Sequence, residues 1–384
     1  MNSSDTPMQT TGRYLVLLPD TDISSGIRAL TDATGISTVV RAADFEGHAF
    51  TAEQLESSDA KVFDTLGVAV VSLDPNQVQS VRAAVASDSP VLAVEPERIV
   101  RAIGNLTATE FVDGAATWGL QATKVVDSPY SGSGIKVAVL DTGLDLTHPD
   151  FANRKITTQS FINGEDVQDR NGHGTHCIGT ACGSKDVAGQ PRYGIAYNAE
   201  IFAGKVLSNQ GSGGDGSILA GIEWAITNGC RVISMSLGAS VNPGDSFSQV
   251  YEQVGQRALQ NSSLIIAAAG NESAGPDGRR KSPPNPVAHP ANAPSIMAVA
   301  ALDANFQVAA FSNGSINPNG GQVDIAGPGV NVYSTSPMPN RYSSASGTSM
   351  ATPHVAGLAA LYAEATGKTG QELWNLLMQN AQRL

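Results

Sequence analysis

The chain has 384 residues, 40 of them glycine, and only 15% are charged, a composition that suits a compact, loop-rich α/β protein and excludes a coiled coil or a disordered segment. A net charge of −12 with no basic stripe argues against nucleic acid as a partner, and no apolar run approaches the ~18 residues of a membrane span. The three cysteines, Cys177, Cys182 and Cys230, are an odd number at spacings that match no zinc pattern, so neither a full disulfide framework nor a zinc site is expected.

Residues 1–11 form a polar tail without the charged-then-apolar pattern of a secretory signal. A cytoplasmic protein is expected if Met1 is the native start, and a secreted one if a signal peptide has been removed. A strand is expected at 13–18, a helix at 24–34, then a strand at either 36–42 or 61–66. A strand at 67–73, a helix at 75–86 and a strand at 90–94 follow. This β-α-β-β-α-β order predicts a small ferredoxin-like α+β domain over residues 12–103. Residues 104–113 lose apolar periodicity and read as an exposed linker.

Over residues 114–384, strands at 135–140, 201–206, 231–236, 264–269 and 296–301 alternate with helices at 174–183, 217–228, 246–261 and 349–365. Alternation of this kind predicts an α/β domain, a parallel sheet with helices on both faces. Glycine and proline crowd 275–294 and 316–339, which read as loops. Cys177, inside the first of these helices, is expected to pack as a small buried apolar group.

Three segments carry chemistry. Asp141 follows a buried strand directly, the place where α/β proteins aim carboxylates into a crevice. Asn171-Gly172-His173-Gly174-Thr175-His176 opens a helix of small residues. Gly347-Thr348-Ser349-Met350-Ala351-Thr352-Pro353-His354 sets a serine where another helix begins, with Pro353 read into the first turn. A hydroxyl becomes a nucleophile when an imidazole takes its proton, and the imidazole needs a carboxylate to fix its tautomer. Either His173 or His176 has the spacing for the base. A fourth segment, strand 264–269 running into Gly270-Asn271-Glu272, offers a side-chain amide for the negative charge that acyl transfer develops.

In these motifs, and in the order Asp, His, Ser, residues 118–384 resemble the subtilisin-like serine peptidases. The resemblance implies Ser349 as nucleophile, His173 (the first histidine of the pair) as base then acid, Asp141 as orienting carboxylate and Asn271 as oxyanion donor. Residues 12–103 resemble the family's inhibitory prodomain, with 91–103 as its arm and a processing site in 104–113. Substrate would bind as an added strand between 207–214, which includes Gly211 and Gly213, and Ser236-Leu237-Gly238. Ala268, Ala269 and Gly270 would wall the S1 pocket and Ala288 would floor it, with no acid there to favour a basic residue. Asp215 would lie where the second and fourth residues before the cut pass and Glu272 at the pocket rim, and both acids would favour basic neighbours.

The resemblance also implies a structural calcium ion on Asp150 and Asp186, and no catalytic cofactor. Family members usually add a further strand and helix after the segment 369–384, so a short form or a removed C-terminal part is expected. The expected function is a serine endopeptidase made as a zymogen, whose partners are a protein or peptide substrate and its own prodomain. The alternatives are a transpeptidase or macrocyclase using the same triad, a dedicated maturation protease, and a catalytically silent binding protein.

Overall fold

A computed structural model describes residues 8–103 except 46, 48 and 88, the backbone of 106–107, and residues 114–314 and 320–383. The expected linker and processing site at 104–113 therefore lie outside the described residues, apart from that two-residue backbone.

The first sheet is built from β1 (Thr10–Leu17), β2 (Val39–Arg41), β3 (Ala60–Phe63), β4 (Val68–Ser72) and β5 (Ala93–Ala102). Helices α1 (Ile23–Thr34), α2 (Ala52–Glu56) and α3 (Pro75–Val85) accompany them. β1 lies between β4 and β5, and β3 pairs antiparallel with β4, the ferredoxin-like arrangement. Both candidates for the second strand are strands: β3 holds the core position, and β2 is an extra edge strand parallel to it. Asp74 caps α3 through the amides of Asn76 and Gln77, with Pro75 at the first helical position, as the run Asp-Pro-Asn-Gln dictates. The last strand departs from expectation. It begins at Ala93 and runs to Ala102, because its second half finds partners outside this sheet.

After β6 (Leu106–Thr107) and α4 (Trp118–Ala122), the second sheet holds β7 (Lys136–Asp141), β8 (Ile156–Ser160), β9 (Glu200–Lys205), β11 (Val232–Met235), β13 (Leu264–Ala268), β14 (Met297–Leu302) and β15 (Ile325–Pro328). Its order is β15-β14-β13-β11-β7-β9-β8, and every pairing is parallel. Helices α5 (His173–Cys182), α6 (Asp215–Thr227), α7 (Gln249–Gln260), α8 (Thr348–Thr366) and α9 (Gly370–Asn380) surround it. Alternation along β7 fills two cores. Val137 and Val139 enter one with Met350 and Val355 of α8, while Ala138 and Leu140 enter the other with Ile218 and Ile222 of α6. Sheets buried on both faces read as continuous apolar runs, which is why these strands stand out in the sequence. The segment 316–339, expected to be loop, contains β15 and β16 (Val332–Thr335). β16 forms an antiparallel hairpin with β17 (Tyr342–Ser346).

Two short strands, β10 (Ser212–Gly214) and β12 (Leu237–Gly238), border a cleft. The second half of β5 fills it, pairing antiparallel with both: Ile99, Val100 and Arg101 face Gly214, Gly213 and Ser212, while Arg101 and Ala102 face Gly238 and Leu237. No helix among the described residues is long and apolar enough to cross a membrane.

Candidate active site

Asp141 ends β7, and two glycines let a helix reach it. Gly143 has φ +109°, and a Cβ there would stand 2.1 Å from the carbonyl oxygen of Val167; only glycine permits this turn. A Cβ on Gly174 would stand 2.3 Å from the carbonyl oxygen of Gly143. The N-terminus of α5 thus packs on the turn after β7, and His173 Nδ1 comes to 2.7 Å from Asp141 Oδ1. Asp169, which the sequence reading missed, holds the same corner. Its Oδ1 accepts from the Thr142 hydroxyl and the amides of Asn171 and Gly172, and its Oδ2 from the amide and hydroxyl of Thr175.

His173 is 1% exposed. Burial opposes its positive charge, but the Asp141 carboxylate prevails and holds the imidazole well above its usual 6.5. His176 faces the other way, with Nε2 3.1 Å from the Val332 carbonyl oxygen, and burial pushes it down to about 4. Of the two candidates, His173 is the one beside a carboxylate.

Ser349 is the second residue of α8, so Pro353 falls in the second turn and not in the first as expected. The correction has a consequence. Proline has no N–H for the carbonyl four residues earlier, which is that of Ser349. The Ser236 hydroxyl (2.8 Å) and the Cys177 thiol (3.5 Å) donate to it instead. Ser349 Oγ lies 3.0 Å from the carbonyl oxygen of Ile103 and 3.2 Å from that of Ser236. His173 Nε2 is buried and has no hydrogen-bond partner among the described residues. The serine is therefore turned towards the end of β5.

Asn271 follows β13. Its Oδ1 accepts from the amide and the hydroxyl of Thr348, both at 2.9 Å, which fixes the orientation of the side-chain amide. Its Nδ2 is left buried without a partner. An orphaned buried donor is costly, and its retention here marks a place where an acceptor belongs. Thr348 is a second residue that sequence reasoning passed over.

Residues expected to line a substrate groove border the segment that fills the cleft. Gly211 accepts the N–H of Ala102 at 2.8 Å, and Ser236 accepts that of Ile103 at 3.4 Å. Ala268, Ala269 and Ala288 are buried, and Ala288 donates to the Ala269 carbonyl at 2.9 Å. A Cβ on Gly238 would stand 3.3 Å from Ile103 Cδ1 and 3.4 Å from Ala288 Cβ, so glycine leaves room there for the isoleucine. A Cβ on Gly213 would stand 2.3 Å from the Val206 carbonyl oxygen, and one on Gly270 2.8 Å from Glu272 Oε2. Glu272 is engaged, accepting from Asn313 Nδ2 at 2.5 Å. Asp215 departs from expectation. It opens α6 one residue beyond β10, and its Oδ2 accepts the N–H of Arg98 at 2.8 Å, which is sixth counting back from Ile103.

Asp150 and Asp186, the expected calcium ligands, have different surroundings. The Asp150 side chain is buried, its Oδ1 accepting from Arg341 (3.1 Å) and its Oδ2 from the hydroxyls of Tyr193 (2.6 Å) and Tyr342 (2.8 Å). Calcium takes oxygen lone pairs, and three of the roughly four that a carboxylate offers are engaged here, one by a cation. Asp186 is exposed beside Lys185 and Arg192, in a depression that Asp150 does not line. Among the described residues, only Asp141, His173 and Cys177 bring three ligating side chains together. The three cysteines are free and buried.

The subtilase family model matches residues 132–384. Among the similar proteins, subtilisin DY of Bacillus licheniformis is 41% identical over 63% of this chain and 81% of its own length. Subtilisin Savinase of Lederbergia lenta is 44% identical over 64% of this chain and 82% of its own. An alkaline protease of Alkalihalobacillus alcalophilus is 39% identical over 80% of this chain and 72% of its own, a match that reaches into the first sheet. With the geometry and these similarities together, the chain belongs to the subtilase family and is a serine endopeptidase.

Proposed function

We propose that the chain is a zymogen, in which residues 12–103 inhibit the peptidase they are joined to, and that it hydrolyses peptide bonds through an acyl-enzyme on Ser349. One observation carries this reading: the carbonyl oxygen of Ile103 lies 3.0 Å from Ser349 Oγ at the end of a strand paired to both edges of the cleft. A substrate would bind there in the same way, as an added strand.

Ser349 Oγ attacks the carbonyl carbon of the residue before the bond while His173 Nε2 takes its proton. Asp141 accepts the Nδ1–H, fixes the tautomer and stabilises the imidazolium. The carbonyl oxygen gains negative charge, and Asn271 Nδ2 donates to it. His173 then gives the proton to the leaving amine, and water repeats the sequence on the acyl group. As the hydroxyl is turned towards Ile103, it must swing to His173 before attack. Apo and inhibited sites commonly have such loose geometry.

The maturation cut falls after Ile103. A tethered segment occupies the cleft at high effective concentration, so modest intrinsic affinity suffices to inhibit. Wild-type full-length chain is expected to shorten by the mass of its N-terminal part, while Ser349→Ala stays at 39.6 kDa and loses fluorophosphonate labelling. Added residues 1–103 should inhibit the shortened enzyme. A full-length wild type that is active and never cut would overturn the zymogen reading, and an unlabelled Ser349 the peptidase mechanism.

A further inference from the structure

The strand in the cleft also reports what the enzyme reads far from the cut. Counting back from Ile103, Arg98 is the sixth residue, just past the end of β10. Its backbone N–H is held by Asp215 Oδ2 at 2.8 Å. Its guanidinium Nη1 lies 2.5 Å from His289 Nδ1. A guanidinium only donates, so Nδ1 is the acceptor and the ring proton sits on Nε2. That proton points to Asp215 Oδ1 at 3.1 Å, which also accepts from the Tyr251 hydroxyl at 3.0 Å. The Tyr251 ring meets the imidazole edge-on, with centroids 4.6 Å apart.

We propose that His289, oriented by Asp215, forms a subsite that selects arginine at the sixth residue before the cleaved bond. The proposal rests on the reading above, in which β5 lies as a substrate lies and Ile103 precedes the cut. His289, Asp215 and Tyr251 are buried, and all three belong to the enzyme and stay with it when β5 leaves. Burial without a donor would leave Nδ1 an orphaned acceptor, which is costly; an arriving arginine satisfies it. Burial first, and then the nearby Arg98 charge, lower the basicity of His289, keeping the ring in the neutral form that can accept. Glu95, in the same strand, lies 4.0 Å from Arg98 Nη2, so substrates with an acid three residues earlier gain a further contact. The third residue back gives a contrast. Arg101 is exposed, and its Nη2 donates to Gln9 of the N-terminal segment, so a cation there is not read by the enzyme.

The test uses peptides copying residues 93–103 ahead of a reporter, with arginine, citrulline or alanine at the sixth position. They are assayed on the wild-type chain after it has become active, and the cut is located by mass spectrometry. The arginine peptide should exceed the alanine peptide roughly tenfold in kcat/KM, mostly through KM, the scale of one hydrogen bond to a charged group. Citrulline keeps the shape without the charge and should fall between them. In His289→Phe the arginine-to-alanine ratio should collapse towards one. Equal rates in the wild type, or a preference kept by His289→Phe, would overturn the subsite. If the peptides are cut elsewhere or not at all, the substrate-like register of β5 falls first, and the subsite with it.

Discussion

At Asn271 a single atom decides the outcome. Because Thr348 occupies Oδ1, Nδ2 is presented with no conformational choice left, so little reorganisation is needed as charge develops. Asn271→Ala should lower kcat by roughly 10²–10³-fold with KM little changed, a figure established for subtilisin itself and carried over to this relative. A large KM effect at constant kcat would contradict the assignment. Asp141, His173, Ser349 and Asn271, the residues of the proposed mechanism, stand out in the sequence because each sits in a short local motif beside a strand or helix end. Asp169, Thr348 and His289 do not. The partners of Thr348 and His289 are distant in sequence, Asn271 by 77 positions and Asp215 by 74, while Asp169 joins its own turn to Thr142, 27 positions away. No local pattern signals such a pair.

Among the elements, α6 records how the first sheet docks. Glu223 on this helix is buried, and its Oε1 accepts the amide of Thr65 at 3.0 Å. Burial raises its carboxyl to about 8 from 4.5. Between those values the folded chain holds a proton that the unfolded chain has released, so stability is full below 4.5 and falls as pH rises towards 8. The full-length Ser349→Ala chain should therefore lose on the order of a few kcal/mol between pH 5 and 9, by denaturant midpoint. Glu223→Gln keeps an acceptor for Thr65 and should flatten that decline; an equal decline in both chains would refute the role of Glu223. Asp150 ties together two distant segments: Arg341 and Tyr342 at the start of β17, and Tyr193 in the loop ahead of β9. Asp150→Ala should lower Tm by roughly 5 °C, equally in calcium and in chelator, because it strips the half-exposed Arg341 guanidinium and two hydroxyls of their acceptor. A calcium-dependent rise in the wild-type Tm, absent in Asp150→Ala, would restore the ion. The central strands of the seven-stranded sheet were readable because they are apolar on both faces. β8, β15 and the β16–β17 hairpin were not: in the hairpin, exposed and half-buried polar side chains such as Tyr333 and Ser343 alternate with buried ones, and 316–339 is crowded with turn residues.

At the scale of the whole molecule, β5 belongs to two sheets at once. Its first half is bonded to β1, and its second half to β10 and β12. Its glutamates also cap the enzyme's helices: Glu95 takes the amides of Gln249 and Val250 at the start of α7, and Glu97 takes that of Gly216 in α6. Severing the peptide after Ile103 breaks none of these bonds. On the proposed reading the nick is silent: the cut chain is still a closed enzyme, and activity awaits the peeling of β5. Appearance of the shortened band should therefore precede appearance of activity, and the lag should shorten once the first freed molecules can digest the detached segment of others. Such a delay gives a population of these molecules a shared, self-accelerating onset, with a clock set by one strand's departure and not by its cleavage.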